Sequence, residues 1–185
     1  MTAARVRLAE PDDAAGIADI HVRSWRATYR GLVPDAILDG LSVDRRTTGW
    51  QQTLERQARD LAEAPVVAPE RTWVVETAER VVGFAGSGPG RAESAPPPAG
   101  SGEVYAIYVA PEWLGLGYGR TLFHHAVSDL RTRAFDPIVV WVFEANATAR
   151  RFYEAAGFRP DGARFTIDFD GFPIDEIRYR LDSPS

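Results

Sequence analysis

The chain contains no cysteine. That excludes disulfides, thiolate metal sites and a cysteine nucleophile, and it fits a reducing compartment. Histidine is also scarce: His21, His124 and His125 are all there are. Their spacing matches no metal-ligand pattern, so no metal is expected. Positive charge is not in excess. Lysine and arginine number 21 against 26 acidic residues, giving a formal net charge of −5. The basic face of a nucleic-acid binder is therefore lacking, and no nucleic-acid partner is expected. No apolar run approaches the ~18 residues that span a bilayer. The start, MTAARVRLAE, has no apolar stretch like that of a signal peptide. These absences predict a soluble, cytoplasmic protein with no membrane partner.

What remains is ordinary globular material. With 185 residues the chain suits one domain, on a scale of about 150 residues per domain. Val6 to Leu8 reads as a first strand. Pro11, Asp12 and Asp13 signal a helix start. Ile17, Ile20, His21, Ser24, Trp25 and Thr28 then share one helix face, and Gly31 caps the end. Pro34 to Leu41 makes a second short helix, and Val43 to about Ala62 a third, broken by Pro65 and Pro69.

Thr72 to Thr77 and Val81 to Ala85 read as a hairpin. Gly86 to Gly102 is rich in glycine, proline and serine and reads as a flexible loop inserted in the domain. Glu103 to Val109 is a strand, Gly117 to Arg131 a helix, and Ile138 to Phe143 an apolar strand of the buried parallel kind. Asn146 to Ala156 is a helix. Phe165 to Phe169 and Ile174 to Leu181 pair around Asp170-Gly171. This order predicts a mixed α/β (α+β-like) fold, with about seven strands and helices on both faces.

The segment VAPEWLGLGYGR, Val109 to Arg120, joins a strand to a helix through three alternate glycines, Gly115, Gly117 and Gly119. Glycine lets backbone approach a ligand, and a helix N-terminus offers unpaired N–H groups to a pyrophosphate. A turn that binds nothing is the plain alternative. A dinucleotide fingerprint fails in both registers, because Arg120 or Leu122 stands at the third glycine position. A P-loop fails at Leu114 and Arg120. Downstream, NATARRFYEAAGF places Asn146, Ala149 and Tyr153 on one helix face.

Together these segments resemble the GNAT superfamily of N-acetyltransferases. Val109, Pro111, Gly115, Gly117 and Gly119 match the family's acetyl-CoA loop. Leu114 departs from it, standing where the family usually has Gln or Arg. Asn146, Ala149, Phe152, Tyr153, Gly157 and Phe158 match its following helix. HVRSWRATYRGLVPDAILDGLS, from His21, resembles the first helices of bacterial members, and GFPIDEIRYRL their last strand.

The resemblance implies a single acetyltransferase domain over 1–185, with acetyl-CoA in a V-shaped splay between two central parallel strands. It implies cofactor contacts from Ile107, Tyr108, Val109 and Leu114, and from Gly115, Leu116, Gly117, Tyr118, Gly119 and Arg120. Asn146, Ala149 and Phe152 complete that set. It implies that a backbone N–H near Val109 stabilises the oxyanion, with Tyr153 as general acid and Glu103 as base. Strand alternation puts Glu103 on the face of Tyr105, Ile107 and Val109 if no bulge intervenes; a solvated carboxylate is the alternative. Trp25 and Tyr29 are expected at the acceptor, or simply in the core. The expected reaction is acetylation of a small-molecule primary amine by direct attack. Protein lysine or N-terminal acetylation, and a non-catalytic acyl-CoA-binding module, stand beside it. The C-terminal hairpin suits a homodimer.

Overall fold

The computed structural model describes residues 4–63, 70–78, 80–92, 95–169 and 171–183. Its strands are β1 (Arg5–Leu8), β2 (Arg71–Glu76), β3 (Val81–Pro89), β4 (Gly102–Val109), β5 (Ile138–Phe143), β6 (Arg159–Phe169) and β7 (Phe172–Leu181). They form one sheet in the order β1-β2-β3-β4-β5-β7-β6. All neighbours are antiparallel except β4 and β5. The helices are α1 (Ala14–Tyr29), α2 (Asp35–Asp39), α3 (Val43–Glu63), α4 (Tyr118–Thr132) and α5 (Ala147–Ala155).

Period-two alternation sorts the two cores. Trp73 and Val75 of β2 point to the face covered by α4 and α5, where Leu122, Phe123, Leu130, Tyr153 and Phe158 are buried. Val74 and Phe84 point to the other face, against Ile17 and Ile20 of α1 and Leu54 of α3. A smaller cluster joins Val33, Leu38, Phe143 and Ile174 below α2. Because both faces are covered, β5 reads IVVWVF without alternation.

Three features place the site. First, β4 and β5 pair only through Gly102–Ile138 and Glu103–Val139, then part. Second, the β3–β4 register shifts between Gly86–Ala106 and Ser87–Val104, leaving Tyr105 as an extra residue. Third, β7 inserts between β5 and β6, bringing its inner side chains beside the splayed strands.

Two sequence expectations need correction. The segment from Gly86 is not loop throughout. Gly86, Ser87, Gly88 and Pro89 extend β3 and pair with β4 down to Gly102. The ladder is made by backbone N–H and C=O groups, so a run of small residues can pair as a strand. What lies between the strands is tied at its base, with Gly90 N–H donating to Ser101 O at 2.8 Å. The final hairpin is also longer than expected, since β6 starts at Arg159. Pro65, Pro69 and Asp170 lie outside the described residues.

His21 sits among rings, stacked on Tyr108 at 5.1 Å and close to Trp25, Trp50 and Phe84. Trp50 Nε1–H donates to its Nδ1 at 3.4 Å, which requires that nitrogen to be unprotonated. Burial, aided by the positive charge of Arg46, pulls its pKa down to about 4. The unfolded chain takes up this proton near pH 6.5. The stability carried by neutral His21 is therefore present above that pH and lost as pH falls towards 4. We expect wild type to lose about 1–2 kcal/mol more than His21→Phe between pH 7 and pH 5. Urea midpoints at the two pH values check this, and equal losses in the two proteins refute it.

Candidate active site

The parting of β4 and β5 opens a cleft of about 440 Å³. Its walls come from Tyr105 to Val109 of β4, Val140 to Phe143 of β5, α1, α5 and the β6–β7 hairpin. At one end stands the N-terminus of α4. Gly117 is its N-cap at φ 89°, and no side chain caps it. Gly115 precedes it at φ 76°. Both lie in the left-handed region that L-residues avoid. Thr121 N–H donates to Gly117 O at 3.0 Å, but the N–H groups of Tyr118, Gly119 and Arg120 have no acceptor among the described residues and are open to a ligand. This arrangement fits the diphosphate of a coenzyme.

Leu114 and Gly119 line the cleft beside this end, with Val109. Leu114 is 60% exposed and Leu116 59%. Gly115, Leu116, Gly117, Tyr118 and Arg120 build the loop and first turn without lining the cleft. Tyr118 packs edge-on against Trp113 at 5.6 Å. From α5, Asn146, Ala149, Phe152 and Tyr153 face in. Asn146 caps this helix by accepting from Ala149 N–H at 3.0 Å.

Tyr153 is buried, its ring 5.4 Å from those of Phe123 and Phe152. Its hydroxyl makes no hydrogen bond with a described residue. Burial, and then the nearby Tyr29 and Glu176, raise its pKa above the ordinary phenol value. It therefore stays protonated near neutrality, as a proton donor must.

The other end of the cleft is aromatic. Trp25 and Tyr29 meet edge to face at 4.9 Å, and Tyr29 lies 4.8 Å from Phe143. Trp25 Nε1–H donates to the Tyr108 hydroxyl at 2.9 Å, and the Tyr29 hydroxyl lies 3.4 Å from the same oxygen. Ile107 and Tyr108 complete the β4 wall.

Glu103 is displaced from the expected face. The extra residue at Tyr105 breaks the alternation, and Glu103 does not line the cleft. Arg91 takes up its carboxylate: the backbone N–H donates to Oε2 at 2.9 Å, and the guanidinium to Oε1 at 3.2 and 2.9 Å.

One cleft group, and one role of another, went unread in the sequence. Tyr108 was foreseen as a cofactor contact, not as the hub of the Trp25–Tyr29 hydroxyl cluster. Glu176 of β7 was not foreseen at all, yet it lines the cleft. One signal pointed to it, since Ile174 and Glu176 share a strand face and Ile174 is buried.

Among the described residues, no group of three His, Cys, Asp or Glu is placed to hold a metal. No helix among them is long and apolar enough to cross a membrane.

A sheet splayed beside an uncapped helix N-terminus, with a buried tyrosine in the opening, defines a coenzyme-binding transferase architecture. The Acetyltransferase (GNAT) family profile matches residues 35–158. The chain belongs to this family, and it is an acetyltransferase. YuaI of Bacillus subtilis, an uncharacterized N-acetyltransferase, is 33% identical over 175 residues, covering 95% of this chain and 88% of that protein. The mycothiol acetyltransferase of Thermobispora bispora is 38% identical over 117 residues, which span 63% of this chain and 37% of that one. The PaiA N-acetyltransferase of Thermoplasma acidophilum, crystallised with coenzyme A, superposes with a TM-score of 0.69 at 15% identity. That alignment covers 97% of this chain and 99% of that one, and it supports the seven-stranded fold.

Proposed function

We propose that the protein transfers the acetyl group of acetyl-CoA to the primary amine of a small molecule by direct attack. The observation that carries this is one continuous cleft, which links the uncapped α4 N-terminus to a recess walled by Trp25, Tyr29, Phe143 and Phe169. Acetyl-CoA supplies the activated acetyl group. The first-turn N–H groups of α4 hold its diphosphate, and Val109 and Gly119 flank the chain that leads inward. A backbone N–H of the splayed β4 strand orients the thioester carbonyl. Tyr153 donates its phenolic proton to the departing sulfur. Asn146 keeps α5, and with it Tyr153, in position.

The test is thiol release on a panel of amines, amino acids and lysine peptides, with the acetylated product identified by mass. Turnover confined to peptides would favour protein acetylation instead. Acetyl-CoA binding without any turnover would favour a binding module. Gly117→Val is the companion variant. A β-branched residue at φ 89° is strained by about 1–3 kcal/mol and re-aims the N–H groups. We expect the acetyl-CoA Kd to rise at least tenfold, with melting temperature only modestly lowered. Unchanged affinity would remove this loop from the site.

A further inference from the structure

Glu176 is the one charged side chain lining the cleft, among the described residues. It sits on β7 opposite Phe143 of β5 and Phe165 of β6. No hydrogen bond or ion pair joins its carboxylate to a described residue. Glu103, the other carboxylate of this region, is fully engaged by Arg91. A partly buried, unpartnered carboxylate is costly unless a cation meets it. The surrounding surface is ring-lined, with Trp25, Tyr29, Phe143 and Phe169 packed 4.8–6.4 Å apart in adjoining pairs.

Several polar atoms of this cleft are already committed, the Tyr153 hydroxyl excepted. Ser24 Oγ–H donates to Val109 O at 3.1 Å, Asn146 Oδ1 caps α5, and the Trp25, Tyr108 and Tyr29 polar atoms face one another. A hydroxyl-rich acceptor would leave water and find few free partners. A second ammonium would find no second carboxylate.

We propose that Glu176 is the catalytic base, binding and deprotonating the acceptor, and that the acceptor is a single ammonium on an apolar, ring-bearing body. This rests on the acetyl-transfer reading above. Glu176 takes one proton from the ammonium and later yields it to water. The freed amine nitrogen bonds to the acetyl carbon as the carbon–sulfur bond breaks. A second N–H proton replaces the one that Tyr153 gives to the sulfur. The amide, coenzyme A thiol and one released proton complete the balance.

The charged and titratable groups facing Glu176 are Glu103 from β4, Arg91 from the preceding segment, Tyr29 from α1 and Tyr153 from α5. Burial, and then Glu103, raise its pKa to about 7, against the opposing charge of Arg91. That narrows the gap to an alkylammonium, about 10.4 for lysine, from the gap left by an ordinary glutamate at about 4.3, and it eases the proton transfer.

The experiment titrates 2-phenylethylamine into wild type and Glu176→Gln, with acetyl-CoA affinity measured in parallel. We expect at least tenfold weaker amine binding in the variant and unchanged acetyl-CoA affinity. In turnover, kcat/KM should fall at least 100-fold, and the wild-type acid limb near pH 7 should vanish. Spermidine should be at least tenfold poorer than 2-phenylethylamine. Equal amine binding by both proteins, or no binding by wild type, overturns the proposal. A preference for spermidine overturns its substrate half. Failure of both proteins to bind acetyl-CoA strikes the acetyl-transfer reading instead.

Discussion

Tyr153→Phe will lower kcat for amine acetylation about a hundredfold, and will leave the acetyl-CoA Kd within about twofold. General acids typically contribute about 10²–10⁴ in rate. The lower end applies here because the leaving thiol resembles cysteine, whose pKa is about 8.5, and can depart partly unassisted. The substitution is clean. The ring keeps its contacts with Phe123 and Phe152, and the lost hydroxyl leaves no protein partner unsatisfied. The raised Tyr153 pKa keeps the acid protonated through neutral pH, so the acid limb of the rate profile belongs to another group. Steady-state thiol release from wild type and variant measures the effect. An unchanged kcat removes Tyr153 from the reaction.

Phe158→Ala will cost about 3–5 kcal/mol of stability. Phe158 is fully buried, with its ring 5.4 Å from Phe123 and 6.4 Å from Tyr153. It enters the core directly after Gly157, which turns the chain out of α5 at φ 93°. Truncation leaves a cavity bounded by α4 and by the Tyr153 ring, so activity should fall with stability. Urea unfolding should show a lower midpoint at constant slope, and Phe158→Leu should recover more than half of the loss. A cost under about 1 kcal/mol would mean that this corner collapses freely.

The parts of the site legible in the sequence are those made by consecutive residues. The glycine loop and the α5 face carry their own signals, because the positive φ of Gly115 and Gly117 favours glycine and helix spacing aligns Asn146, Ala149 and Tyr153. Glu103 misled for a non-local reason. Its orientation depends on how Gly86 and Ser87 pair across the sheet, and nothing within β4 records the extra residue at Tyr105. Glu176 was hidden by topology. Its strand reads as the closing half of a hairpin, and only the insertion of β7 beside β5 carries it to the cleft. The strand character of Gly86 to Pro89 was obscured by composition, since backbone pairing leaves no trace in residues without large side chains.

The short seam between β4 and β5 has a mechanical consequence. Among the described residues, Gly102–Ile138 and Glu103–Val139 are all the ladder that holds one half-sheet to the other; beyond them the halves are joined by helices, by a few loop hydrogen bonds such as Arg178 to Pro96 O, and by whatever occupies the gap. A ligand lying there acts as a clasp between two plates. Its binding energy is added to a joint that the backbone leaves weak, so the occupied protein should resist prying apart along this line far better than the empty one.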